Sequence, residues 1–267
     1  MGDPLLDVQG LRVVFDGTDK TVTAVDGVSF RIEPGETLGL VGESGSGKSV
    51  TAHALLRLLR APGRIAGGRV LFEEQDLLTL PESAMREIRG ARISLIFQEP
   101  MTALNPMMRV GDQIAEALTV HGRTGTRARA VELLHSVHIP DAARRARDYP
   151  HQLSGGMRQR VVIAIALACH PALLIADEPT TALDVTLQAQ ILDLLRQLRA
   201  EFNVAMLLIT HDFGVIAEMA DRVAVMHQGT LVEQGEVRQI LRAPAHPYTR
   251  RLLAAIPGTG VERPRAR

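Results

Sequence analysis

Apolar and polar residues alternate partly from Leu6 to Phe15 (Leu6, Val8, Leu11, Val13, Phe15) and more loosely from Val25 to Ile32, which predicts two strands of a half-exposed sheet. Pro34-Gly35 turns the chain into Thr37 to Val41, a short apolar run that predicts a buried strand. Val50 to Leu59 then predicts a helix, with Leu55, Leu56, Leu58 and Leu59 on it. A short strand is expected over Arg69 to Phe72, after a break at Gly67-Gly68, and another at Ile93 to Phe97, stopped by Gln98-Glu99-Pro100.

Beyond that point the periodicity changes. Val110, Ile114 and Leu118 share one helical face, and Val131, Leu134 and Val137 another, with His121 to Arg129 a loop between them. Residues 100 to about 152 therefore read as a helical insert in an α/β domain. Ser154 can cap a helix from about Gly155 to Cys169. Ala172 to Ala176 is continuously apolar, as a central parallel strand is. Leu187, Ile191, Leu194 and Leu198 mark the next helix, Val204 to Ile209 another buried strand, and Arg222 to His227 with Thr230 to Val232 a hairpin turning at Gln228-Gly229.

The chemistry starts at Gly42-Glu43-Ser44-Gly45-Ser46-Gly47-Lys48-Ser49, which fits the phosphate-loop pattern between a strand and a helix. Glycines let successive backbone N–H groups curl inward around an anion, and the helix start adds its positive end. Lys48 can reach the outer phosphates and the Ser49 hydroxyl can ligate Mg²⁺. The chain has only two lysines, Lys20 and Lys48, so a chance match in this slot is improbable.

Three more strand ends carry polar chemistry. Leu173 to Ile175 runs into Ala176-Asp177-Glu178. Asp177 can hold Mg²⁺ and Glu178 can orient an attacking water. His211 closes Val204 to Ile209, and Gln98 closes Ile93 to Phe97. Parallel sheets bind ligands at their carboxyl edges, so these groups are expected to face one crevice. Leu153-Ser154-Gly155-Gly156-Met157 would expose amides at a second helix start. One phosphate tail does not need two such sites on one chain, whereas two copies arranged head to tail would give each nucleotide one of each.

Composition changes this picture little. The 30 basic and 30 acidic residues cancel, which argues against nucleic acid as a partner. One cysteine, Cys169, supports no disulfide framework or cysteine metal site, and its apolar surroundings predict burial. The first residues carry no signal-peptide pattern, and no apolar run approaches the roughly 20 residues of a spanning helix. A cytoplasmic location is expected, with any membrane role supplied by a partner.

The order Gly42–Ser49, Gln98, Leu153–Met157, Leu173–Glu178, Thr181–Asp184 and His211 resembles the nucleotide-binding subunit of ATP-binding cassette transporters, over about Leu6 to Val232. The resemblance implies a P-loop NTPase core with a mixed, mainly parallel sheet, an N-terminal antiparallel β subdomain and an inserted α-helical subdomain at about 100–158. The cassette would span 1–240 and a C-terminal extension 241–267. It implies that Lys48 and the loop amides of Gly42, Glu43, Ser44, Gly45, Ser46 and Gly47 bind ATP phosphates, and that Ser49, Gln98 and Asp177 serve Mg²⁺. Glu178 would be the catalytic base, His211 the γ-phosphate switch and Phe15 the aromatic stacked on adenine. Ser154, Gly155 and Gly156 would bind the ATP held by an opposite subunit, and Asp184 would communicate across that dimer. Met157 and Thr181 depart from the commoner Gln and Ser, at positions where the family tolerates variation.

Gln98 to Pro106 and His246-Pro247-Tyr248-Thr249-Arg250-Arg251-Leu252-Leu253 are similar to the dipeptide, oligopeptide and nickel importer branch. That implies an ATPase powering peptide import at the cytoplasmic face of the membrane. Its partners would be a second, related but non-identical cassette, two membrane permease subunits and an external substrate-binding protein. The helical insert would receive a permease helix. A single cysteine excludes the iron–sulfur cluster of some members, and the chain ends before the regulatory domain of sugar importers would begin. The alternatives are an importer of nickel or another small solute, a soluble cassette ATPase, and a kinase or GTPase sharing only the phosphate loop. The Leu153–Met157 motif argues against the last.

Overall fold

The computed structural model describes residues 3–18, 20–98, 103–181 and 183–254. The chain divides into two units, residues 1–79 with 207–267, and residues 80–206.

In the first unit, β1 (Leu6–Asp16) pairs antiparallel with β2 (Thr21–Ile32), Leu6 opposite Ile32 and Val8 opposite Phe30. β3 (Thr37–Val41) is buried at all five positions, as its unbroken apolar run demands. α1 (Lys48–Leu55) follows. It is shorter than the apolar pattern suggests, because Arg57 turns to φ 53 and leaves the helix. β4 (Gly63–Phe72) pairs antiparallel with β1, and β5 (Gln75–Asp76) completes a four-stranded sheet of order β2-β1-β4-β5. The strand expected only from Arg69 thus begins at Gly63. Gly67-Gly68 does not break it. The register against β1 shifts between Gln9 and Arg12, and the glycines lie in that bulge.

In the second unit, α2 (Glu82–Ile88) precedes β6 (Ile93–Ile96). Then come α3 (Val110–Thr119), α4 (Thr126–Ser136), α5 (Ala142–Arg145), a 3-10 turn (Pro150–Gln152) and α6 (Gly155–Leu167). α3 buries Val110, Ile114 and Leu118, as their spacing requires. On α4 the buried residues are Ala130, Leu133 and Leu134, so Val131 sits at the margin of the buried stripe rather than in it. Helix starts at Thr126, which shortens the expected loop of His121 to Arg129. β7 (Leu173–Asp177) is wholly buried and runs parallel to β6, Ile93 opposite Leu173 and Ile96 opposite Ala176. α7 (Val185–Phe202) buries Ile191, Leu192, Leu194, Leu195 and Leu198. Cys169 is buried as expected, and burial pushes its thiol up, away from the reactive thiolate.

β8 (Ala205–Thr210), buried throughout, carries the chain back to the first unit. α8 (Phe213–Met219) leads to β9 (Arg222–His227), which runs parallel to β3, Leu38 opposite Arg222. β10 (Thr230–Glu236) returns antiparallel to β9. The turn between them is Gln228-Gly229, both at positive φ (46 and 82) as a tight hairpin needs. α9 (Val237–Arg242) and α10 (Pro247–Ala254) end the described chain. Among the described residues no helix is long and apolar enough to cross a membrane.

Candidate active site

The phosphate loop belongs to the first unit and is held from several sides. Gly47 sits at φ 106, a left-handed turn that aims the first amides of α1 back over the loop. Side chains are excluded here on grounds of space as well. A Cβ on Gly42 would strike the Met226 carbonyl of β9, and one on Gly47 would come within 2.6 Å of the Ala24 carbonyl of β2. Ser46 N donates to Glu43 O at 3.2 Å, and Gly229 N, in the hairpin turn, donates to Ser46 O at 3.0 Å.

Lys48 is only 5% exposed. Its Nζ donates to Gly42 O at 2.8 Å and Glu43 O at 2.9 Å, so the ammonium spans the loop from inside. No acidic residue stands in the first turn of α1, where it would repel an anion. Ser49 is half-buried in that turn, and Ser44 and Gly45 are exposed at the loop's rim. Phe15 lies near the end of β1 opposite Gly63, and its half-exposed ring covers that glycine so closely that a Cβ would sit 2.7 Å from it. His211 follows β8 and is exposed, next to Asp212, whose carboxylate caps α8 through Gly214 N at 2.7 Å.

The second unit brings together Gln98, Glu178 and Thr181. The parallel register explains the first pair, since Gln98 and Glu178 both follow the Ile96–Ala176 pair at the same remove. Gln98 Nε2 donates to Glu178 Oε2 at 3.2 Å. Thr181 Oγ1 donates to the same oxygen at 2.7 Å. Glu178 itself is at φ 47, a conformation a non-glycine residue adopts at a cost of order 1–3 kcal/mol. The strain and the two donors fix one orientation of this carboxylate. Asp177 ends β7 and is 3% exposed.

The Leu153–Met157 turn also lies in the second unit. Ser154 caps α6, accepting from Met157 N at 3.3 Å, as the sequence predicts. Ser154 and Gly155 are exposed, while Gly156 is buried, with Leu187 of α7 packed where its side chain would be. The approach is braced by Arg158 Nε on Pro150 O at 2.7 Å and by Tyr149 N on Gln152 Oε1 at 2.8 Å. Asp184 caps α7 through Leu187 N at 2.9 Å. Of the 99–102 stretch and Ala182, which lie outside the described residues, nothing is added to the sequence reading.

Three functional contacts escaped the sequence reading. Thr181 departs from the commoner Ser, and its hydroxyl donates to Glu178 Oε2. Gln159, 1% exposed, donates to Pro179 O at 2.7 Å and ties α6 to the segment just past Glu178. Gln159 stands between Arg158 and Arg160, so nothing in the local pattern marks it as buried. Tyr248 of α10 accepts from Glu43 N, in the phosphate loop, at 3.2 Å. Burial pushes the Tyr248 phenol up against the opposing pull of that hydrogen bond, so it stays protonated at neutral pH.

A strand–loop–helix phosphate site, an acidic strand end and a capped Ser-Gly-Gly helix start define an ATP-binding cassette. The chain belongs to the ABC transporter family, whose model matches residues 25–181, and residues 232–266 match the C-terminal region of oligopeptide/dipeptide transporters. It is 54% identical over 266 residues to a putative peptide import ATP-binding protein of Brucella melitensis, covering 96% of this chain and 79% of that one. It is 52% identical over 264 residues to the oligopeptide transport ATP-binding protein OppD of Escherichia coli, covering 97% and 78%. Among solved structures, a dimeric ATP-binding cassette in a post-hydrolysis state bound to ADP and Pi superposes with a TM-score of 0.78 at 28% identity, over 87% of this chain and 99% of that one. CbiO1 of Clostridium perfringens, part of a transporter complex, gives 0.76 at 27%, over 91% and 92%.

Proposed function

We propose that this chain is the ATP-hydrolysing subunit of a peptide importer, working as one of two cassettes beneath a pair of membrane permease subunits at the cytoplasmic face. Lys48 and the amides from Gly42 to Ser49 take the phosphates, and Phe15 offers a half-exposed aromatic face to adenine. Glu178 orients and deprotonates the attacking water, and His211 contacts the γ-phosphate. The hydroxyl of Ser49, the carboxylate of Asp177 and the amide of Gln98 are hard oxygen donors, which suits Mg²⁺. That ion, when bound, neutralises charge on the phosphate oxygens. Ser154, Gly155 and Gly156 serve the nucleotide of the opposite cassette, which is a related, non-identical chain, and Asp184 lies on the path between the two sites. ATP favours the closed pair, and hydrolysis releases it. The cassette is taken as 1–240, with its helical part at about 100–158, and the extension as 241–267. Peptide as cargo rests on the relatives' names and on the tail match.

The observation that carries this reading is the carboxylate of Glu178, held by Gln98 and Thr181 one residue past a buried Asp177. A general base of this kind contributes about 10²–10⁴-fold. In Glu178→Gln, phosphate release in the assembled transporter is expected to fall by about that factor, with ATP binding retained. Full turnover in that variant would remove Glu178 from the role.

A further inference from the structure

We infer that the C-terminal helix α10 is a brace for the phosphate loop, and that Tyr248 is a positioning residue for nucleotide binding. This rests on the proposed nucleotide site and extends it to a residue 205 positions away from the loop in sequence.

The brace is built from both ends. Glu233 of β10 accepts from Ala245 N at 2.6 Å and from His246 N at 3.0 Å, so one carboxylate anchors the entry to α10. His246 Nδ1 accepts from Tyr248 N at 3.2 Å, and Arg250 Nε donates to Pro244 O at 2.9 Å. Tyr248, Thr249 and Leu253 are buried at 3%, 0% and 1% exposure. The Tyr248 ring stacks on His227, the last residue of β9, with centroids 3.8 Å apart. The adjoining hairpin turn donates Gly229 N to Ser46 O. The loop is thus gripped at Ser46 by the hairpin and at Glu43 by the tail, and both grips run through the His227 corner.

Phosphate binding by a curled loop depends on its amides being aimed beforehand. Loss of the phenolic oxygen removes the hold on the Glu43 amide and leaves that part of the loop to the grip of Lys48 on the Gly42 and Glu43 carbonyls. Glu43 is an exposed residue and this hydrogen bond is only part-buried, so water can take the place of the phenol at the amide. The loss falls on the loop's order and therefore on ATP. By linkage, bound ATP also steadies α10.

The test compares the full chain with Tyr248→Phe, which keeps the ring on His227, and with Lys48→Ala. Readouts are equilibrium ATP binding, melting of the nucleotide-free protein, and amide exchange at Glu43. Tyr248→Phe is expected to bind ATP about threefold to tenfold more weakly, the range of one net hydrogen bond. Nucleotide-free melting should stay within about 1 °C and exchange at Glu43 should speed up. Unchanged affinity, or a loss of affinity matched by a fall in melting temperature, overturns the brace. If Lys48→Ala loses ATP while Tyr248→Phe keeps it, only the brace fails. If Lys48→Ala binds as the unaltered chain does, the nucleotide site fails and the brace with it.

Discussion

The phosphate loop and the Ser154-Gly155-Gly156 turn are both glycine-bearing entrances to a helix, and they differ in how much of their surroundings the chain supplies. Behind Gly42 and Gly47 the space is taken by β2 and β9, the hairpin turn holds Ser46 and the tail holds Glu43, while Ser44 and Gly45 stay exposed at the rim. Lys48 fills the middle. At Gly155 an added Cβ would meet nothing within 4 Å, and Ser154 is exposed beside it. The first entrance is braced from several sides by its own unit. The second is rigid behind, through Arg158 and Gly156, and open in front. A closed nest suits a ligand held tightly by one chain. An open helix start suits a ligand presented by another molecule, and the contrast is the physical basis for assigning the two loops to different nucleotides.

Alanine at each entrance breaks or sharpens the contrast most strongly. Gly42→Ala drives a methyl into the Met226 carbonyl, and is expected to cost about 1–3 kcal/mol of stability and to abolish ATP binding, read by melting and by nucleotide titration. Gly155→Ala should leave melting within about 1 °C and ATP binding intact. It should nevertheless slow hydrolysis in the assembled transporter by about tenfold or more, through crowding of the partner's phosphate. If both variants behaved alike, the two loops would not be built for different tasks.

Thr181→Val comes next. It removes a donor from Glu178 without changing shape, and hydrolysis should fall by about threefold to tenfold in kcat with little change in KM. A change confined to KM would mean that Thr181 acts on binding instead.

The smallest effect concerns acid. Burial pushes the Glu233 carboxyl up, but the Thr249 side chain, then the Ala245 and His246 amides and the charge of His246, outweigh it and hold the carboxyl below its usual value of 4.5. A lowered folded value means that the stabilisation is present above the unfolded value and lost as pH falls through the folded one. Below pH 4.5 the unaltered chain should lose stability more steeply than Glu233→Gln, which has no such proton to take up. Parallel melting profiles would show that Glu233 does not anchor α10.

Local order was legible in the chain wherever one period covered a whole element. β1, β3, β7 and α7 follow their apolar spacing, and the loop, the Asp177-Glu178 pair and the Ser154 cap follow motifs a few residues long. The strand around Gly67-Gly68 was misplaced because its partner, not its own pattern, decides. A glycine pair can end a strand or bulge it, and only the register against β1 decides. Of the contacts that were missed, Gln159 with Pro179 and Glu43 with Tyr248 join residues 20 and 205 positions apart, and Thr181 meets Glu178 across three residues only because Glu178 takes a positive φ that no spacing announces. The tail motif around Tyr248 was visible as a resemblance, but nothing in its spacing says which backbone amide the phenol meets.

The central claim is that the open turn completes a nucleotide site held by another cassette. The most direct measurement is a structure of the permease-bound assembly carrying Glu178→Gln and trapped with magnesium and ATP. In that assembly the Ser154 hydroxyl and the amides of Gly155 and Gly156 are expected within hydrogen-bond distance of the γ-phosphate bound by the opposite cassette's phosphate loop. A trapped, ATP-loaded assembly with that turn facing solvent would contradict it.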